Sequence, residues 1–184
     1  WLTGSFWWLF ISMHTYGGLP APLAALAVLA LAAALGLYYA AASAWFVVRG
    51  PKGRVTGALV FAALWTLAEL VRGSWFTGFP WGAGGYAHVE GPLAAWAPWI
   101  GVYGIGAVAA LATALLVLGS LARKADVVAG LVLIALVFGF PHLAPLLRGA
   151  SSGSLQVALL QGNIPQDEKF IPGGGIETAL RWYG

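Results

Sequence analysis

The chain reads as long apolar runs separated by short polar or basic turns. From Pro22 to Val48 an Ala- and Leu-rich stretch runs without a single charged residue. A membrane-crossing helix needs about 20 mostly apolar residues, so this stretch is long enough to cross with tilt. Trp1 to about His14 is apolar but short, the pattern of the end of a span. Further apolar runs cover Val55 to about Arg72, Leu93 to Leu121 and Val127 to Leu147. The pattern predicts an α-helical polytopic membrane protein of about five spans, the first of them partial.

The basic residues orient these spans. Arg49, Lys52 and Arg54 form one turn, and Arg123 with Lys124 closes the Leu93–Leu121 run. One hairpin places both turns on the same side, while the loop from Ser74 to Pro92 holds no Lys or Arg. The positive-inside rule then puts the basic turns in the cytoplasm and the aromatic loop, with everything after Leu147, outside. Trp7, Trp8, Trp45, Trp75, Trp96 and Trp99 fall at span ends, where interfacial anchoring favours them.

The pattern changes after residue 150. Ser151-Ser152-Gly153-Ser154 is a flexible joint, and Leu155 to Leu160 is a short β-type run. Gln161 to Gln166 makes a turn, in which Pro165 bars a continuing central strand. Pro172 and three glycines precede a helical pattern from Ile176 to Tyr183. The expected organisation is a transmembrane helical domain over 1–150, then the first strand and helix of an extracytoplasmic α/β domain over 151–184. The chain opens at Trp1 and stops at Gly184 inside a helical pattern, as expected of a segment of a longer protein.

Composition removes other classes. Of 184 residues, 60% are hydrophobic and 8% charged, against roughly 25% charged in a typical soluble domain. Neither an ordinary water-soluble enzyme nor a disordered chain has that composition. The net charge of +3 is small and the basic residues form no nucleic-acid patch. With no cysteine, the chain holds no disulfide, thiolate metal site or cysteine nucleophile.

Glu69 carries the most information of any residue, because an ionisable group within a span is costly unless paired or facing a polar cavity. Arg72 follows three residues on and Trp65 precedes by one turn, so the three share a helix face. Two readings stand on the sequence: a functional Glu–Arg pair that holds a zwitterionic lipid headgroup or braces the next loop, or two charges that snorkel to the interface. The loop around Phe79, Pro80 and Trp81 is the second feature. Irregular backbone at membrane depth survives only inside protein or lining a cavity, so this loop shapes a lipid-entry cleft or forms an aromatic belt without a site. Three other signals fail on context. Gly149-Ala150-Ser151-Ser152-Gly153 matches a nucleophile elbow but follows a span rather than a strand. His14, His88 and His142 lie far apart without a carboxylate or thiolate at ligand spacing, so no metal or other cofactor is expected. Gly53 and Gly57 form a GxxxG of the kind an Ala/Gly-rich chain contains by chance.

Taken together, Glu69-Leu70-Val71-Arg72-Gly73, Thr77-Gly78-Phe79-Pro80-Trp81, Gly85-Tyr86, Ala97-Pro98 and Gly101-Val102-Tyr103-Gly104 resemble the bacterial apolipoprotein N-acyltransferases. Val157 to Gln166, with Lys169-Phe170 after it, resembles the start of that family's nitrilase-like domain, and Tyr16-Gly17-Gly18-Leu19-Pro20 fits a family loop. The resemblance implies an enzyme of the bacterial cytoplasmic (inner) membrane. Its implied reaction moves a fatty acyl chain from a phospholipid to the amino group of a diacylglyceryl-cysteine lipoprotein, through a cysteine thioester assisted by a glutamate and a lysine. The family's Glu, Lys and Cys lie beyond Gly184, so no catalytic residue is assigned here, and Glu168, Lys169 and Glu177 are not promoted to that role. The residues assigned to lipid are Trp65, Glu69, Arg72, Phe79, Pro80 and Trp81. The competing expectation is a non-catalytic lipid-binding or transporter-type module, although no internal repeat of the transporter kind is visible.

Overall fold

A computed structural model describes residues 1–119, 123–147, 153–159, 161, 163, 165, 168 and 174–183. Among them the regular structure is helical: α1 (Leu2–Ser5), α2 (Trp7–Ile11), α3 (Ala21–Arg49), α4 (Arg54–Ser74), α5 (Ala97–Leu118), α6 (Lys124–Leu147) and α7 (Gly175–Tyr183). Three helices are long and apolar enough to cross a membrane: Ala21–Arg49, Arg54–Thr77 and Pro92–Leu118. Each falls on an expected span. Over the expected partial span at the start run α1, α2 and a π-helical segment, Ser12–Tyr16, that ends at Gly17. The last apolar run forms α6, a 24-residue helix.

The chain divides into two compact units. One comprises Trp7–Val28 and Gly149–Gly184. Within it the His14 ring Nδ1 lies 2.8 Å from the Leu19 carbonyl oxygen across the Gly17-Gly18 turn, and His14 also packs on Phe10. Residues 155–159 form no strand, since an extended run becomes one only by pairing with a neighbour and no partner strand exists among the described residues. Residues 149–152, Leu160, Gly162, Ile164, Gln166 and 169–173 of the expected linker, strand and turn lie outside the described set. The expected final helix is present as α7, with Glu177 in its first turn and Arg181 in its last, each complementing the helix dipole.

The other unit, Trp1–Phe6 with Leu29–Arg148, carries the features of interest. Alanine-rich sequence favours α3 as one long helix, and Gly50-Pro51 ends it. α4 packs along α5 through small residues: Ala58, Ala62 and Ala68 on one side, Gly106, Ala110 and Ala114 on the other. Small side chains let the two backbones approach, which is how apolar helices associate where the hydrophobic effect is weak. At the opposite end from the aromatic loop, Arg54 donates to Asp126 Oδ2 at 3.0 Å and ties the start of α4 to the start of α6. Trp96 stacks on Phe140 at 3.7 Å and Trp99 meets the same ring edge-on, which joins the start of α5 to α6.

Candidate functional site

Glu69 and Arg72 occupy the last turns of α4 and are the two buried charges among the described residues, at 0% and 1% exposure. Neither snorkels. They form no ion pair with each other either, although their spacing places them on one face. Each is spent on the loop that follows. Arg72 Nη1 donates to the carbonyls of Phe79 at 2.6 Å and Trp81 at 2.9 Å, while the Phe79 amide returns a 2.9 Å bond to the Arg72 carbonyl. Glu69 Oε1 accepts the Gly84 amide at 2.7 Å and, more weakly, the Tyr39 hydroxyl of α3 at 3.4 Å.

The carboxylate sits in a glycine cradle. A methyl group at Gly84 would come within 3.2 Å of Glu69 Oε1, and one at Gly106 within 3.1 Å of Oε2. At Gly85 it would collide with the Val102 carbonyl, which is backbone and has nowhere to go. The loop therefore needs glycine here for close approach rather than for flexibility. Glu69 Oε2 and Arg72 Nε and Nη2 remain buried without a hydrogen-bond partner. Such groups are rare, and a low-dielectric interior keeps them only where the surroundings hold them in place.

The start of the loop is strained. Phe76, Thr77 and Gly78 have φ of 51°, 75° and 78°, three left-handed residues in a row. Glycine takes that conformation freely, but for the β-branched Thr77 it is an outlier of the kind found at ligand clamps and switch regions. The strain turns Phe76 outward, 88% exposed, and brings Gly78 back against the Gly73 carbonyl.

Between α3 and α4 this loop closes one end of an apolar groove of about 880 Å³. Leu31, Leu35 and Tyr38 wall it from α3, Leu67 and Val71 wall it from α4, and Arg72, Phe76 and Phe79 stand at the loop end. Among the described residues, Arg72 is the one charged residue in its lining.

The residues expected to contact lipid thus separate. Arg72 and Phe79 line the groove. Glu69 lies behind it and braces the loop. Trp65 faces an aromatic cluster instead, stacked with Trp1 at 6.0 Å and tilted against Tyr39 at 4.8 Å. Pro80 and Trp81 are exposed on the outer side of the loop. Sequence reasoning did not single out Tyr39 or Gly106. Gly84-Gly85 is visible as a pair of glycines, but nothing in the chain marks Gly106 or Tyr39 as neighbours of a carboxylate. Among the described residues no cluster of His, Asp or Glu is arranged to hold a metal.

Residues 1–115 match the family described as "Apolipoprotein N-acyltransferase N-terminal domain". Curated relatives carry the same name. The "Apolipoprotein N-acyltransferase" of Verminephrobacter eiseniae is 53% identical over all of this chain and 36% of its own length. That of Ralstonia nicotianae is 45% identical over all of this chain and 35% of its own length, and that of Azotobacter vinelandii is 41% identical over 90% of this chain and 33% of its own. The chain spans about a third of the length of these relatives.

Proposed function

The chain belongs to the apolipoprotein N-acyltransferase family, and we propose that it forms the lipid-handling membrane part of an enzyme that transfers a fatty acyl chain from a phospholipid to the N-terminal amino group of a diacylglyceryl-cysteine lipoprotein. The observation that carries this reading is the groove between α3 and α4. It is apolar along its length, as an acyl chain requires, and it has a single cation and two carbonyl-bound loop residues at one end, where a lipid ester and headgroup are polar. The groove's volume lies within the range of about 300–1,000 Å³ usual for ligand clefts.

In this role α3 and α4 desolvate and align one acyl chain, and the loop from Phe76 to Gly84 fixes where its ester emerges. Phe79 bounds the chain at that end, while Trp81 faces outward at the level of the headgroups. Glu69 and Arg72 act through the backbone they hold. The acyl-accepting nucleophile belongs to the part of the relatives that this chain does not span; a thioester there would divide one difficult transfer into two easier ones. The finer organisation follows the same proposal: α6 adds a further span to give about five, residues 151–184 open a nitrilase-like domain, the protein lies in the bacterial cytoplasmic membrane, and the basic turns face the cytoplasm.

The test uses the full-length protein in vesicles with phosphatidylethanolamine carrying a labelled acyl chain and a diacylglyceryl lipopeptide as acceptor. Label appearing on the acceptor's amino group is the expected result. Lipid retained by the purified protein without any transfer would replace the enzyme by a non-catalytic lipid-binding module, and absence of both would end the proposal.

A further inference from the structure

The groove has a measurable length. On α3 its wall runs from Leu31 through Tyr38 to Trp45 at the i, i+3, i+4, i+7 spacing of a single helix face. At 1.5 Å per residue this stripe is about 21 Å long, the reach of an extended acyl chain of about sixteen carbons. The floor toward its far end is made of small residues, Ala41 and Ala42, and Trp45 is the last α3 residue in the lining. Beyond it the Phe46 and Phe61 rings meet edge to face with centroids 5.5 Å apart and bridge the two helices. Trp45 itself is 45% exposed, so it is not a core residue on which the packing of α3 depends.

Resting on the acyl-chain reading of the groove, we propose that Trp45 sets the length of chain the enzyme accepts. The ester lies at the Arg72 end, the chain runs down the stripe, and its terminal methyl stops against the indole. A residue that served only as an interfacial anchor would affect membrane insertion but would not choose among chain lengths.

The full-length protein is assayed with phosphatidylethanolamines graded in two-carbon steps, reading both acyl transfer and the lipid retained on purification. In Trp45→Ala the preference moves to longer chains. The ratio of transfer from a donor two carbons beyond the wild-type optimum to transfer at that optimum rises about fifteenfold, the effect of two further buried methylenes at ~0.8 kcal/mol each. Ala41→Leu, which fills the groove one turn earlier, moves the preference to shorter chains. Trp45→Phe gives a smaller shift in the same direction as Trp45→Ala and serves if the alanine variant does not fold. Wild-type transfer with unchanged length profiles in these variants would overturn the ruler and leave the acyltransferase reading intact. Shifted retention of lipid without transfer in the wild type would keep the ruler and overturn the acyltransferase reading.

Discussion

Replacing Arg72 by methionine keeps an unbranched apolar stem but removes the guanidinium and with it the two bonds to the loop carbonyls of Phe79 and Trp81. Hydrogen bonds to a charged group contribute about 1.5–3 kcal/mol each. Arg72 is 1% exposed, so solvent screening does little to reduce them. Loss of both weakens the closed loop by about 3–6 kcal/mol, less whatever the carbonyls recover from water once the loop opens. At about 1.4 kcal/mol per factor of ten, amide exchange across the loop should rise between roughly a hundredfold and ten-thousandfold. The assay is hydrogen exchange by mass spectrometry on the full-length protein, comparing peptides over 77–86 with peptides from the α4–α5 contact. The first should lose protection while the second keeps it, because the Ala and Gly packing of α4 on α5 does not involve the guanidinium. Arg72→Lys should fall between, since an ammonium reaches one carbonyl well and lacks the planar fork that serves two. Adding Glu69→Gln to Arg72→Met should cost less than the two separate effects summed, as it removes a buried carboxylate left without its nearby cation. Unchanged exchange over 77–86 in Arg72→Met would refute the idea that the buried charges hold the loop.

Gly85→Ala should sharply reduce folded protein, because the new methyl meets the Val102 carbonyl; the yield of monodisperse protein after detergent extraction reads this out. Asp126→Asn should destabilise by about 1 kcal/mol, and raising salt in thermal unfolding should weaken wild type part of the way toward the variant, since Arg54 is 36% exposed and only partly screened while Asp126 is 10% exposed. Trp81→Ala should lower acyl transfer well before it lowers stability, because the indole is 61% exposed; parallel loss of transfer and of melting temperature would make it a structural residue.

The helices were legible because their signal is coarse. A run such as Pro22 to Val48 leaves no alternative to a long helix, and Gly50-Pro51 marks its end with equal force. The start of the chain was not legible in the same way. Trp1 to His14 is apolar enough to suggest the end of a span, and Gly4-Ser5 with the two glycines after Tyr16 favours the short helical pieces found there. The run after Ser154 is a different case. A strand is a relation between two segments, and Leu155–Leu159 has the composition for one without a described partner.

The buried charges show where sequence reasoning meets its physical limit. Helical spacing placed Glu69 and Arg72 on one face, and from that face the sequence offers a headgroup-holding pair, a brace for the next loop, or escape to water. The structure shows the brace without mutual pairing, since each charge binds backbone groups of a loop that begins only after α4 ends. Backbone carbonyls and amides are the same at every residue, so nothing in the side-chain sequence records which of them a charge will reach. What the sequence does record is permission: Gly84 and Gly106 leave room for a carboxylate, and Gly78 allows the reversal that returns the chain to Arg72. A carboxylate and an arginine one turn apart at the end of a span, followed by a glycine- and aromatic-rich loop, therefore read better as a brace for that loop than as a ligand pair.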